Sequence, residues 1–490
     1  MSDTPDPGNR HPGLADLFRY PLMSAIVERR SRRVCRGTSI AGGDLSHQST
    51  NAPAPLSALE EAVLAVTTGL TGFLMHDGPV GGGGELGTGC YFMQPRGRAA
   101  GSPDNTQPTS FFLVNDSGVF LIKKLTKQEA LQFLKDVPPR WADWSEGDWL
   151  AAAQAVTQKV FNERLQFPRQ FPYYHMWNKA LSNRPGTTLL LPVVDMTRSF
   201  ISVVLNILSE PEAERALFLD DWQPFVPKTP ADVGAWLAAG LGLLPDRIPY
   251  QPVGGVEWAQ SGTVNPKIRV PLGFAHTFQV DYEAILLLQN LVLTGQAIGL
   301  GGWLHACTPA PLIYERDPAN GIFGLGFRMH KPDKEWGRWP PVPSTLANPV
   351  GLDGIIQALC PPYMSMNDAV DRVLDEKFGN QGTYRDVAQF ARAYRTVEDA
   401  EAYLQRAQKQ YSTKTVEYMK VLCNYIYDTY GRFPAHVDAF HLPGVWMQFS
   451  HLELEYYEKF FDPALYSRQA AHDSIWPHHP VEAGTRGSEV

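Results

Sequence analysis

The stretch that most constrains this chain is Asp281–Gly302, DYEAILLLQNLVLTGQAIGLGG. From Ala284 to Leu300 it is apolar on nearly every side of a helix, interrupted only by Gln289, Asn290, Thr294, Gly295, Gln296 and Gly299. A helix of that kind belongs inside a protein or in a bilayer. A bilayer span needs roughly 20 consecutive apolar residues; this run is shorter and carries amides, so it reads as a buried helix. It stops in Gly299-Leu300-Gly301-Gly302, where glycine can take positive φ and let another group approach the backbone. Such a stop suits a Schellman-capped core helix or the edge of a cofactor pocket.

The remaining sequence bounds what can surround that helix. At 490 residues the chain is too long for one ordinary core, and about two to three domains are expected. A net charge of −8 argues against a general nucleic-acid binder, whose affinity would rest on basic surface. The five cysteines (Cys35, Cys90, Cys307, Cys360, Cys423) form no CxxC and no disulfide framework, which fits a reducing, cytoplasmic setting. The first thirty residues carry no signal peptide. Residues 1–13 read as a disordered leader and 467–490 as a disordered polar tail.

Between these ends the pattern alternates. Gly13–Arg30 reads as helix, with Pro21 kinking or dividing it. Ser57-Ala58-Leu59-Glu60 and Thr126-Lys127-Gln128-Glu129 read as capping boxes. Gly78–Gly89 is glycine-rich but lacks the Gly-Lys-Ser/Thr ending of a phosphate loop. FFLVNDSGVFLIKKL, after residue 110, reads as a hairpin turning at Asn115–Gly118. Helical patterns recur near 148–165 and 197–208, with a strand at Thr188–Val194 between them. Thr229-Pro230 opens another helix. Gly321–Phe327 reads as a strand, Pro332–Pro349 as a linker, and 351–465 as a mainly helical section in which Thr396 caps a helix.

Three pieces carry candidate chemistry. The run Arg29-Arg30-Ser31-Arg32-Arg33 is either a solvated basic face or an anion clamp, since guanidinium forks suit phosphate. Asn105 and Gln107 either satisfy their own turn or meet the edge of a flat heterocycle. The glycine stop near 299–302 is the third. His305 beside it is either structural or a proton donor tuned near neutrality. His436, Asp438, His441, His451, Glu453 and Glu455 have the donor types of a metal site but no His-Glu-x-x-His spacing, and no metal is expected.

Taken in order, these pieces resemble the FMN-dependent nitroreductase superfamily. Arg29-Arg30-Ser31-x-Arg33 is similar to its opening motif, Ser102-x-x-Asn105-x-Gln107-Pro108 to its second, and QNLVLTGQAIGLGG to its third. The resemblance covers roughly 14–125 and 275–345. It implies an α+β, three-layer fold with an antiparallel-rich central sheet, and a homodimer with FMN at the subunit interface. Arg29, Arg30, Ser31 and Arg33 would hold the phosphate, ribityl chain and ring edge. Asn105 and Gln107 would meet the isoalloxazine, and the turn from Gly301 and Gly302 through His305 would offer N–H groups to its N5/O4 side. Arg338, with Arg328 second, would add a late phosphate contact.

On that resemblance the flavin domain spans 14–345, with an insertion at about 130–275, and a separate helical section spans 346–466. The implied activity is hydride transfer through flavin N5 between NAD(P)H or an organic donor and a small molecule or modified peptide. Cys35 and Thr109 stand where the family usually carries aromatics. These departures motivate the alternative of a non-catalytic binding or assembly protein on the same scaffold.

Overall fold

The structure is a computed structural model that describes residues 11–68, 70–73, 96–98, 100–102, 107–124, 140–175, 178–222, 251–276, 280–306, 310–330, 348–380, 394–407, 411–436 and 445–477, with isolated positions between them. Gly78–Gly89, Asn105, Thr126–Glu129, Thr229, Arg338, Asp438 and His441 lie outside the described residues.

Local chemistry sets the first elements. Pro21 divides the N-terminal helical pattern into α1 (Pro12–Leu17) and α2 (Leu22–Val27). Ser57 and Glu60 close a reciprocal capping box that starts α3 (Ala58–Thr67). The turn at Asn115–Gly118 joins β1 (Thr109–Asn115) to β2 (Gly118–Ile122). There Gly118 has φ 139°, and a Cβ would stand 2.0 Å from the Phe161 carbonyl oxygen. The helix expected over 148–165 is instead α4 (Glu146–Val156) followed directly by β3 (Thr157–Phe161). Thr157 and Val160 are β-branched, and β2 offers a free edge for them to pair with.

Further along come β4 (Thr188–Val194) and α5 (Met196–Ile207), then β5 (Ala216–Asp220) and β6 (Asn265–Pro271) of a second, smaller sheet. The long apolar run forms α6 (Val280–Ile298), which hands over through the glycine stop to β7 (Gly301–His305). Helices α7 (Met366–Phe378) and α8 (Thr413–Tyr430) precede β8 (Trp446–Ser450) and α9 (Leu454–Phe460). The central sheet runs β7-β8-β4-β1-β2-β3, and every neighbouring pair is antiparallel.

The inner strands of that sheet are covered on both faces and lack a polar side, whereas edge strand β3 exposes Gln158 and Lys159. Phe111 and Leu113 pack with Leu190, Met447 and Phe449 against α3, α4 and α6. Phe112 and Val114 face the other way, with Leu189, Leu191 and Trp446, toward Tyr314 and Phe327. A third core joins α5, α7 and α8 to the β5–β6 sheet. Helices and antiparallel-rich sheets make the chain α+β.

Several expectations are corrected. The central sheet takes β4 from the stretch read as an insertion and β8 from the section read as helical, so the drawn boundaries do not divide it. Only Ile322–Phe323 of Gly321–Phe327 is a strand. The tail is ordered through residue 477, with α10 (Ser467–Ala470) and α11 (His472–Ile475), because Trp476 is buried against Gly13 of α1. Helix α6 is not buried all round: Leu287, Leu288 and Leu291 are inside, while Tyr282, Ile285 and Leu286 are 61%, 47% and 43% exposed. No helix among the described residues is long and apolar enough to cross a membrane.

Candidate functional site

The end of α6 organises the candidate site. Gly299 adopts φ 93°, and Leu300 N–H donates to the Gly295 carbonyl at 2.9 Å, the six-to-one bond of a Schellman stop. The last carbonyls of a helix need outside donors, and the C-terminal segment supplies them. Arg468 donates to the Ala297 carbonyl, His472 Nδ1 to that of Ile298 at 3.1 Å, and Gln469 to that of Leu300 at 3.2 Å. These bonds, which no local pattern announces, hold the segment in place.

The arginine run passes beside β7, the edge strand of the central sheet. Arg32 N–H donates to the Gly302 carbonyl at 3.1 Å. Its side chain turns inward, donating to the Leu465 carbonyl and to Gln296 Oε1, and burial lowers its pKa. Arg32 is therefore a structural arginine. Arg29, Ser31, Arg30 and Arg33 stay at least partly exposed, and none of the three arginines pairs with a carboxylate among the described residues. Arg29 and Arg30 line one cleft with Gly295, Gln296, Leu300 and Gly302. Arg33 lies over the Trp303 ring, 5.5 Å from its centroid. The enclosed space is only about 10 Å³, so this is the floor of an open surface. Gly301 is packed away from it, against Leu452.

Other candidates sit elsewhere. Gln107 is 1% exposed at φ 47°, with its N–H on Ser102 Oγ, so its side chain is not offered to the cleft. Two residues on, Thr109 N–H donates to Glu283 Oε2 near the start of α6. Glu283 and Gln296 are separated by about 20 Å of helix at 1.5 Å per residue. Within one chain, the second motif and the arginine cleft thus lie at opposite ends of α6. Arg328 pairs with Asp353 at 2.6 Å and lies over Tyr363, away from the cleft.

His305 is corrected as a proton donor poised near neutrality. Burial, with Arg33 nearby, pushes its pKa down to about 3, and neither ring nitrogen has a hydrogen-bond partner among the described residues. It packs between Trp303 and Trp446 as a neutral ring.

The scattered metal-type donors separate into different places. His436 is buried beside Asp195. Glu453 is taken up by Gly37 N–H at 2.6 Å, Ser49 Oγ and Asn51 Nδ2, pinning the loop over residues 37–51. His451 instead meets Glu60 and His472 in a buried cluster. In the sequence Glu60 reads only as a helix cap and His472 only as part of the tail, and no local signal joins Glu60 to His451, 391 positions away.

Compared with known proteins, the chain matches no family model, no curated protein and no solved structure.

Proposed function

We propose that the chain is an FMN-dependent, nitroreductase-like oxidoreductase that works as a homodimer between NAD(P)H or an organic donor and a small-molecule or modified-peptide substrate. The observation that carries this reading is the cleft in which Arg29 and Arg30 meet Gly295, Gln296, Leu300 and Gly302. The first and third motifs, far apart in the chain, share one surface. Three guanidiniums, at least partly exposed and without carboxylate partners among the described residues, suit a phosphate of charge about −2, and glycines let a ring approach the backbone. Bound FMN would supply the hydride chemistry. Arg29, Arg30 and Arg33 would hold its phosphate, and the buried apolar wall of Met447 and Phe449 would exclude water from behind it.

A second copy is supported by exposed apolar residues beside the arginines. Leu22, Met23, Ile26 and Val27 of α2 are 46–65% exposed, on a helix that packs against α6. A partner over this face would enlarge the shallow cleft and supply the end of α6 that a single chain leaves distant.

The test is FMN titration of the purified chain, followed by flavin fluorescence. Arg30→Ala with Arg33→Ala is expected to weaken FMN roughly a hundred-fold, from two charge-assisted bonds of about 1.5 kcal/mol each. It should leave the weaker binding of riboflavin, which lacks the phosphate, unchanged. Equal FMN affinity in parent and variant would sink the phosphate clamp. The small cleft and buried Gln107 favour a second reading, a non-catalytic binding protein on the same scaffold. Its mark would be FMN that binds but is not reduced by NADH, NADPH or candidate substrates.

A further inference from the structure

Glu60, His451 and His472 play no part in the flavin reading, yet of the two clusters of metal-type donors among the described residues, this one is buried throughout, whereas Glu455 of the other, with His47 and Glu453, is exposed. One ligand atom from each of Glu60, His451 and His472 lies within 4.8 Å of the others, and all three side chains are buried. Glu60 Oε1 is 2.7 Å from His472 Nε2 and 3.2 Å from His451 Nε2. Two ligands at 2.0–2.1 Å from a tetrahedral ion stand roughly 3.3 Å apart. The His451 contact therefore already has the required spacing, and the His472 contact would open by about 0.6 Å.

The outer contacts orient the donors. His472 Nδ1 lies 3.1 Å from the Ile298 carbonyl, which can only accept, so that nitrogen carries a proton. Its Nε2 points at Glu60, as a donor while that nitrogen is protonated and as a ligand lone pair once a metal ion displaces the proton. The other Glu60 oxygen accepts Ser57 N–H in the capping box, which fixes the carboxylate. A carbonyl behind an imidazole and a hydrogen-bonded carboxylate are the supports that metal ligands need. Without a metal that 2.7 Å contact is a hydrogen bond from a protonated imidazole to the carboxylate, and a divalent ion would take the proton's place. A proton joins one imidazole to Glu60, whereas a metal ion satisfies both imidazoles and the carboxylate together. His451 and His472 also line a cavity of about 200 Å³, with Arg36, Asn51 and Asp473, which leaves room for a water or small ligand.

We propose that Glu60, His451 and His472 bind a divalent first-row transition-metal ion, zinc foremost, with an open position toward this cavity. Two imidazoles and one carboxylate suit zinc better than magnesium or calcium, which prefer all-oxygen sets. The ion would tie α3, the end of β8 and α11 into one knot, and through Ile298 it would brace the stop of α6.

The experiment strips the full-length chain with EDTA, removes the chelator, and titrates it with zinc sulfate while metal content is read by atomic emission. One zinc per chain is expected, with a rise in melting temperature that calcium does not reproduce. His472→Gln is expected to weaken zinc at least about 100-fold; a folded variant that binds as tightly as the parent overturns the proposal. Should that variant fail to fold, cobalt loading of the flavin-free parent decides the matter. Intense visible bands of a four-coordinate ion support the site, and the weak spectrum of a hexa-aqua ion overturns it. No zinc uptake by the stripped parent also overturns it. Metal content is read independently of flavin, so either proposal can fail without the other.

Discussion

The arginine cleft and the Glu60 cluster meet the same end of α6 under opposite physical conditions. Arg29 and Arg30 in the cleft, and Arg33 over Trp303 beside it, keep at least part of their side chains in water and pair with no carboxylate among the described residues. In the cluster, Glu60 is wholly buried and two histidines converge on it. Water stabilises an unpaired exposed charge at little cost, so the cleft can stand open for an anion. A buried carboxylate has no such option and needs its cation in place whenever the chain is folded. The histidine contacts hold the Glu60 carboxyl well below the usual carboxylate range, although burial alone would raise it. An exposed charged site is therefore specified by what it can bind, and a buried one by what must already neutralise it.

Arg30 and Arg32 allow the sharpest break of that comparison, because they are neighbours with opposite fates. Arg32→Ala strips donors from the Leu465 carbonyl and Gln296 and is expected to cost about 3 kcal/mol of stability. FMN affinity should be altered far less. Arg30→Ala should change stability by no more than about 0.5 kcal/mol while weakening FMN. Chemical denaturation beside flavin titration checks the pair, and a reversed pattern would mean that the inward and outward arginines are misassigned.

His305 carries the comparison to a buried group without a hydrogen-bond partner among the described residues. Its pKa of about 3 lies below the ordinary 6.5 of the unfolded chain. At pH 8 both states are neutral; between 6.5 and 3 only the unfolded chain takes up the proton. The stability this residue allows is thus present above pH 6.5 and declines as pH falls toward 3. His305→Phe is expected to lose about 2 kcal/mol less than the parent between pH 8 and pH 5. Parallel pH–stability curves for parent and variant would show that the imidazole is not held neutral.

The smallest effect concerns the turn that separates the two sites. Gly299 sits at φ 93°, and a Cβ there would lie 3.0 Å from the Arg468 carbonyl oxygen and 3.4 Å from His472 Nδ1. Gly299→Ala is expected to cost about 1–2 kcal/mol from the left-handed backbone, and to loosen the C-terminal segment. Urea melts and limited proteolysis near residues 467–477 read this out; an unchanged cleavage pattern would argue that the turn does not brace the segment.

Much of the local architecture was legible before any coordinates. The Ser57–Glu60 box, the Asn115–Gly118 turn, the strand Thr188–Val194 and the positive φ of Gly299 follow from side-chain chemistry within a few residues. The pairing of Arg29–Arg33 with the glycine stop was also expected, through family resemblance rather than spacing, and the cleft brings those two pieces together.

What sequence alone determined is therefore the set of parts: capped helices, a tight hairpin, and a long apolar helix with a glycine stop. Each depends on interactions that reach only three or four residues along the chain. Tertiary structure decided that β8 enters the central sheet between β7 and β4, that Arg32 turns inward while Arg30 does not, and that Glu60 meets His451 and His472. Those outcomes depend on which distant surfaces can bury apolar area together while satisfying every backbone and charged group. No local pattern encodes that choice, because the partners come within reach only once the chain has folded.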